Sequence, residues 1–250
     1  MAHYKKAAAI NPTDAETQNN LGVTLFGIGR ADEAITHYRK ALEIQPDYAE
    51  ASCNLASALI ANGDFDGAIA RYTACLAAIP DQEEPRYNLA SALLRRGRID
   101  EAIIQYQKLL EAHPDSADAH ANLGSAWLAK RHFRDAMTEY TKALQVSPEN
   151  LAALSNLAWL LATSADASLR NGSEAVRLAE RADSASSRSD QHATVLRILA
   201  ASYAEAGQFT EAKETAQQAL EAANVEGNTN LADALQGELA LYDLGLPFHK

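Results

Sequence analysis

Apolar residues recur along this chain at the three- and four-residue spacing that is typical of amphipathic helices. The leucine pairs that mark the clearest of these helices are Leu21 and Leu25, Leu55 and Leu59, and Leu89 and Leu93. A short polar segment containing Gly29, Gly63 or Gly97 follows each pair, and a second apolar-patterned stretch then ends at a proline. Because glycine permits a tight turn and proline cannot continue a helix, the pattern predicts repeated helix–turn–helix pairs.

The pairs recur every 34 residues. Asn-Leu dipeptides begin at residues 20, 54, 88, 122 and 156, and we call their amides the asparagine column: Asn20, Asn54, Asn88, Asn122 and Asn156. The same step carries a tyrosine column in the second helices, namely Tyr38, Tyr72, Tyr106 and Tyr140. Several columns in one phase indicate a repeat protein, in which neighbouring pairs stack to bury a continuous core.

The period divides the chain into repeats, which we treat as one domain spanning residues 1–250. A partial repeat occupies residues 1–14, and the six repeats that follow span residues 15–48, 49–82, 83–116, 117–150, 151–192 and 193–226. Repeat 5 has a longer turn between its helices, and repeat 6 has Ile198 in place of the asparagine. Residues 227–250 are predicted to form a capping helix with Leu231, Leu235 and Leu239 on one face.

Composition excludes several classes of partner. The net charge of −11 repels phosphate, so nucleic acid is not expected to bind. No apolar run is long enough to span or insert into a membrane, and the first residues lack the features of a signal peptide. We expect a soluble segment of undetermined compartment, with the cytoplasm favoured. Cys53 and Cys75 are expected to be free thiols, because two cysteines form neither a disulfide framework nor a metal spacing.

No pattern of catalytic or metal-ligating residues stands out. The chain lacks a P-loop, a nucleophile elbow and a dinucleotide-binding glycine motif. Its seven histidines show no ligand spacing with carboxylates or cysteines. We therefore predict no catalytic residue, no metal and no cofactor, and a chain that is not an enzyme.

Acidic residues also recur near the starts of the first helices. Glu16, Glu50, Glu84 and Asp118 each lie three residues after a residue that can cap a helix, namely Thr13, Asp47, Asp81 and Asp115. This spacing predicts a capping box at each of the four helix starts.

The columns resemble the tetratricopeptide repeat, or TPR, through Leu-Gly/Ala in the first helix, spaced Ala and Tyr in the second, and the final Pro. The resemblance implies an all-α fold, a right-handed α-solenoid superhelix of about six helix–turn–helix units plus the capping helix. It also implies that the first helices line the concave groove. Such repeats bind proteins or peptides, and the resemblance implies a non-catalytic interaction scaffold.

At 100° per residue the asparagine column lies about 150° from the core side of the first helix, so its amides are expected to be exposed in the groove. A primary amide donates and accepts hydrogen bonds, and so it can pair with a peptide main chain of any sequence. The residues that we predict to line a peptide-binding groove beside the asparagine column are Ser57, Ser91, Ser125, Tyr87, Arg95 and Trp159. The alternative is that the amides bond a neighbouring repeat or face water.

The asparagine column is similar to the one in the TPR superhelix of O-linked N-acetylglucosamine transferases. This similarity keeps a second hypothesis open, in which the chain is the substrate-recruiting arm of a larger enzyme such as a glycosyltransferase. A purely architectural spacer is the third hypothesis. Residues 3–12 align with the second helix at 37–46, so we expect the chain to be a segment of a longer repeat protein or an array trimmed at its N-terminus. An open N-terminal repeat face would also allow weak self-association.

Overall fold

The computed structural model describes residues 13–186 and 191–250, and within these ranges all regular structure is helical. The described residues form thirteen α-helices, numbered here α1 to α13, and one 3₁₀ turn. They belong to two compact units, residues 1–114 and 115–250, which are described separately. The predicted partial repeat lies almost wholly outside the described residues, as does the open face predicted for it.

The N-terminal unit contains three complete helix pairs. Its helices are α1 (Ala15–Gly27), α2 (Ala31–Ile44), α3 (Ala49–Ala61), α4 (Phe65–Ala78), α5 (Glu83–Arg95) and α6 (Ile99–Ala112). Each helix contacts the next one along the chain, and first helices of successive repeats also touch. These bounds confirm the helix–turn–helix pairs predicted for repeats 1 to 3.

The C-terminal unit contains three further pairs and the predicted capping helix. Its helices are α7 (Ala117–Ala129), α8 (Phe133–Val146), α9 (Leu151–Thr163), α10 (Gly172–Ser186), α11 (His192–Glu205), α12 (Phe209–Val225) and α13 (Thr229–Asp243). The long turn of repeat 5 holds the 3₁₀ turn Ala167–Leu169. Gly172 begins α10 against the main chain of Glu205 and Ala206, where a Cβ atom would lie within 2.6 Å of a backbone atom. The elongated turn is thereby packed onto repeat 6.

The repeated columns form the core. All four tyrosines of the tyrosine column are at most 1% exposed, and the alanines four residues before them are completely buried. In repeats 1 and 4 the facing first-helix residue is glycine. A Cβ atom at Gly22 or Gly124 would lie 2.5 Å or 2.7 Å from the ring of Tyr38 or Tyr140. Small residues in the first helix thus make room for the aromatic ring of the second.

The tight turns within the pairs require a left-handed residue. Gly29, Gly63 and Gly97 have φ angles between 73° and 79°, as the sequence predicts. The fourth repeat places Arg131 in the same column, with a φ angle of 62°. Among the described residues it is the only one other than glycine with positive φ. A left-handed conformation costs an ordinary L-residue about 1–2 kcal/mol, so this turn carries strain that the other three avoid.

The predicted capping boxes are wrong. The helices of repeats 2, 3 and 4 begin one residue later than the pattern implies, with N-caps Tyr48, Gln82 and Ser116 that provide no side-chain cap. The side chain of Asp14 caps α1, and that of Asn150 caps α9 in the repeat where no cap was predicted. The acidic residues do lie in the first helical turns, where they complement the helix dipole.

The expectation of free thiols is also wrong. Cys53 of α3 and Cys75 of α4 form a disulfide, with their Cα atoms 5.5 Å apart. Because the two helices of a pair pack closely through small side chains, residues 22 positions apart meet across the pair. The described residues contain no free cysteine.

Candidate peptide-binding face

The asparagine column lies on the first helices, as the period predicts, but its side chains are less exposed than helical geometry suggests. All five asparagines are half-buried. Neighbouring helices reduce this exposure, as at Asn54, whose amide contacts Asn19 of the preceding repeat, and a projection of a single helix cannot show such contacts. Within each unit, we call the surface formed by its asparagines and by the residues three and seven positions after each of them the first-helix face of that unit. Asn20, Asn54 and Asn88 belong to the N-terminal unit, and Asn122 and Asn156 belong to the C-terminal unit.

Two asparagines contact the preceding repeat. The Nδ2 atom of Asn54 donates to Oδ1 of Asn19 at 3.0 Å. Asn19 is completely buried, and its own Nδ2 lies 3.2 Å from a carboxylate oxygen of Glu50 and 3.4 Å from the Tyr48 hydroxyl. Asn88 likewise hydrogen-bonds the phenol of Tyr72. These contacts match the alternative in which the amides bond a neighbouring repeat, and they account for part of the bonding capacity of Asn54 and Asn88.

The predicted serines lie above the tyrosine column. The hydroxyls of Ser57, Ser91 and Ser125 are 2.9, 2.8 and 3.2 Å from the phenol oxygens of Tyr72, Tyr106 and Tyr140. Burial raises the pKa of Tyr140 to about 12, so its phenol stays protonated and neutral at physiological pH. The half-exposed asparagines and serines therefore give the first-helix face a floor of neutral hydrogen-bonding groups, and the buried tyrosine phenols lie beneath it.

Tyr87 and Arg95 flank this floor in repeat 3. The Tyr87 ring packs edge-on against Tyr106, with ring centroids 6.1 Å apart. The Arg95 guanidinium lies 5.4 Å from the ring centroid of Phe65, which holds an exposed cation beside Ser91 and Asn88. Both side chains are therefore positioned by aromatic neighbours.

Trp159 has partners that the sequence pattern did not reveal. The Arg197 guanidinium lies 4.8 Å from its ring centroid, and the Phe248 ring lies 6.0 Å away. Arg197 also pairs with Glu238, which is only 2% exposed. Phe248 belongs to the segment after the capping helix, which the sequence marks only as a helix stop. Arg197 occupies in repeat 6 the position that Asn19 occupies in repeat 1, and this position is uncharged in the other repeats. A charged residue at an otherwise uncharged position was therefore the only sign in the sequence that Arg197 has a special partner.

The described residues show no metal centre. Within residues 13–186 and 191–250, no three His, Cys, Asp or Glu side chains are grouped to hold a metal ion. His120 is paired with Glu139, with Nδ1 2.6 Å from a carboxylate oxygen, in a contact between the two helices of repeat 4. In the same ranges no helix combines the length and the apolar character needed to cross a bilayer.

The helix pairs, which recur with a period of 34 residues, and the polar residues that recur along the first helices define a helical repeat protein. Two family models, both described as tetratricopeptide repeat, match residues 13–81 and 59–126. Residues 13–126 therefore belong to the tetratricopeptide repeat family, as the resemblance of the columns predicted. A search of curated proteins found no significant match.

Solved structures share the fold. The Pseudomonas aeruginosa protein pilF is 19% identical, with a TM-score of 0.71 over 90% of this chain and 97% of its own. YrrB, described as a TPR protein with an unusual peptide-binding site, is 18% identical, with a TM-score of 0.64 over 74% of this chain and 93% of its own. MamA is 27% identical, with a TM-score of 0.56 over 58% of this chain and 80% of its own.

Proposed function

We propose that this chain is a non-catalytic scaffold that binds an extended peptide, or an extended segment of a partner protein, along the first-helix face. The observation that carries the proposal is the recurring polar floor. Asparagine amides recur at one register of five first helices, and in repeats 2 to 4 serine hydroxyls pair with buried tyrosine phenols beside them. The asparagine amides and the serine hydroxyls are neutral and half-exposed, and both kinds of group can donate and accept hydrogen bonds.

The chemistry of the floor suits a peptide main chain. An extended peptide offers N–H and C=O groups every 3.3 Å or so, whatever its side chains are. An amide has two N–H donors and an acceptor oxygen, and the contact of Asn54 with Asn19 uses one of these donors. This contact joins two repeats and would also hold the Asn54 amide in a fixed orientation at the surface. An amide that is already oriented loses less conformational entropy when a ligand binds.

Helix energetics support a role for the asparagine column. An asparagine inside a helix costs up to about 0.7 kcal/mol relative to alanine. Five such positions in register are therefore carried at a measurable loss of helix stability. The structural similarity to YrrB adds that a TPR fold of this kind is compatible with peptide binding.

The test is a selection of random peptides on the immobilised chain, followed by affinity measurements on the selected peptides. The test variant changes Asn54, Asn88 and Asn122 to alanine, and the matched control changes Asn224, an exposed asparagine near the end of α12. We expect the triple variant to lose at least tenfold in affinity and the control to keep it. Circular dichroism and melting establish that each variant is folded at the temperature of the assay.

Two results would contradict the proposal. One is that no peptide is enriched over a column without protein. The other is that the triple variant, folded by both criteria, binds the selected peptides as tightly as the unchanged chain. In the second case the asparagines serve only the contacts between repeats.

A further inference from the structure

The last five described residues, 246–250, lie against the C-terminal unit as a docked peptide, and we call them the tail. Gly245, with a φ angle of 68°, ends α13, and the Leu246 amide closes the helix end on the Leu241 carbonyl at 3.0 Å. The tail then leads to the end of α9. The Lys250 amide donates to the Thr163 carbonyl at 2.7 Å, and the Ala165 amide donates to the Lys250 carbonyl at 3.1 Å. The tail is thus held through its main chain, as a strand is held by its neighbour.

Two side chains of the tail have specific partners. The Phe248 ring is half-buried, lies 6.0 Å from the ring of Trp159 and packs on the core formed by α11 to α13. The His249 Nε2 atom lies 2.7 Å from a carboxylate oxygen of Glu205. An aromatic residue, an imidazole and a main-chain pair follow one another along residues 248, 249 and 250. Three consecutive residues are therefore recognised in three different ways.

The elongated turn of repeat 5 builds the docking surface. Arg170 donates from Nε to Glu205 at 2.9 Å and from Nη1 to the Ser164 carbonyl at 3.0 Å. Its side chain is only 19% exposed, and that of Glu205 is 14% exposed. The guanidinium thereby orients both the carboxylate that meets His249 and the loop that pairs with Lys250. The tail contacts this loop on one side and Trp159 on the other.

Beside the tail the surface is not filled. A cavity of about 340 Å³ is lined by residues that include Leu128, Phe133, Trp159 and Thr163, with Lys250 of the tail along its wall. Its volume lies within the range of small-molecule and cofactor pockets, which is about 300–1,000 Å³. A longer or bulkier segment than the tail has room to enter it.

We propose that this surface is a binding site for a partner segment in which an aromatic residue is followed by histidine or another residue with a side-chain nitrogen donor, and that the tail occupies it until the partner displaces it. The inference rests on the proposed function, because Trp159 belongs to the first-helix face. The tail supplies the pattern of the ligand: an aromatic ring for Trp159, a nitrogen for Glu205, and an extended main chain for residues 163–165. A segment tethered in cis has an effective concentration on the order of millimolar, so it excludes weak ligands and admits those that bind more tightly.

The test uses the full chain and a labelled, C-terminally amidated peptide with the sequence of residues 243–250, DLGLPFHK. Changing Phe248 and His249 to alanine gives an open variant in which the tail has lost its side-chain contacts. Leu244→Ala is the matched control, since Leu244 is 74% exposed and lies just before the tail. We expect the peptide to bind the open variant at least tenfold more tightly than it binds the unchanged chain or the control. A scrambled peptide is expected to bind none of them.

A further substitution locates the bound peptide. Adding Glu205→Gln to the open variant preserves the size of the side chain but removes the charge that meets histidine. We expect it to weaken peptide binding at least fivefold, and a peptide with leucine in place of histidine to lose a similar factor. Equal affinities for the unchanged chain and the open variant, or equal binding of the scrambled peptide, would overturn the inference.

The outcome for the tail site is separable from that for the asparagine column. If the amidated peptide fails to bind the open variant while peptides from the random selection bind it through the asparagines, the tail inference is wrong and the proposed function stands. If the tail peptide binds the open variant equally well when Asn54 and Asn88 are alanine, the site lies where the structure assigns it.

Discussion

The side-chain amide of Asn54 donates a 3.0 Å hydrogen bond to the completely buried side chain of Asn19. This contact joins the first helices of repeats 1 and 2, and the Glu50 carboxylate receives an N–H of the same buried amide. An asparagine buried in this way needs its partners, since an unsatisfied amide in the core costs far more than a bond gains. The half-buried amide of Asn54 and the buried amide of Asn19 therefore form one hydrogen-bonded pair.

We predict that Asn19→Ala lowers the free energy of unfolding by about 1–3 kcal/mol. The substitution removes a buried amide, and Glu50 and Asn54 each lose the hydrogen bond that they make to it. Asn20→Ala is the control, being the next residue on α1 and half-buried. Urea unfolding followed by circular dichroism gives both values. A double-mutant cycle with Asn54→Ala should return a coupling of about 0.5–1.5 kcal/mol. A cost for Asn19→Ala no larger than that for Asn20→Ala would refute the structural role of Asn19.

Alkaline pH should unfold the chain through the tyrosine column. Burial raises the pKa of Tyr38 and of Tyr140 from the ordinary value of 10 to about 12, with the Glu50 charge adding to the effect at Tyr38. As the pH rises, the unfolded chain therefore loses these protons before the folded chain does. The free energy of unfolding keeps its full value below pH 10 and falls between pH 10 and about pH 12. Parallel titrations of helicity and of phenolate absorbance should show the two changes together. Titration of all tyrosines near pH 10 with unchanged helicity would contradict the burial of the column.

The turn of repeat 4 offers a stabilising substitution. Arg131→Gly removes the strain of a positive φ angle and also the contact of Arg131 with the Phe133 ring, 5.9 Å away. We expect a net gain of about 0.5–1 kcal/mol in the free energy of unfolding, since left-handed strain exceeds an exposed cation–π contact. The reciprocal change, Gly97→Arg at the same column of repeat 3, should destabilise by about 1–2 kcal/mol. Thermal melting of both variants tests this prediction: the melting temperature should rise for Arg131→Gly and fall for Gly97→Arg, and changes of the same sign would contradict it.

The disulfide of repeat 2 is testable without mutation. Closing a loop between residues 22 apart stabilises a fold by about 3 kcal/mol in the chain-entropy account. We expect a reducing agent to lower the melting temperature, and Cys53→Ser with Cys75→Ser to melt like the reduced chain. Alkylation of the unreduced protein in denaturant, where the buried Cys75 becomes accessible, followed by mass spectrometry, should label neither cysteine. Two labelled thiols in protein kept from reductants during purification would show that the bond does not form.

Much of the fold could be predicted from the 34-residue period, because the features that repeat are local. Leucine and alanine spacing indicated the helices, the glycines indicated the turns, and the tyrosine column indicated the core. Arg131 shows the limit of this reasoning: its turn forms without glycine because the packing of α7 on α8 imposes the conformation that the residue itself disfavours.

What the sequence missed depends on contacts between distant residues. The capping-box spacing was present, but the chain after each proline starts the helix one residue later, so Asp47 cannot cap it. The pairing of Cys53 with Cys75, and that of Asn19 with Asn54, required the distance between two packed helices. The docking of Phe248 on Trp159 joins residues 89 positions apart in the sequence, which no periodic pattern encodes.

The most direct test of the central claim is an NMR titration that follows the side-chain amide signals of the asparagines while a selected peptide is added. Signals of Asn54, Asn88 and Asn122 should shift and saturate with the dissociation constant measured for the peptide, because their amides bond its main chain. Those of Asn224 and Asn228, exposed residues at the ends of α12 and α13, should stay in place. Saturation with unmoved asparagine-column signals would show that the peptide binds elsewhere and that the asparagines only join the repeats.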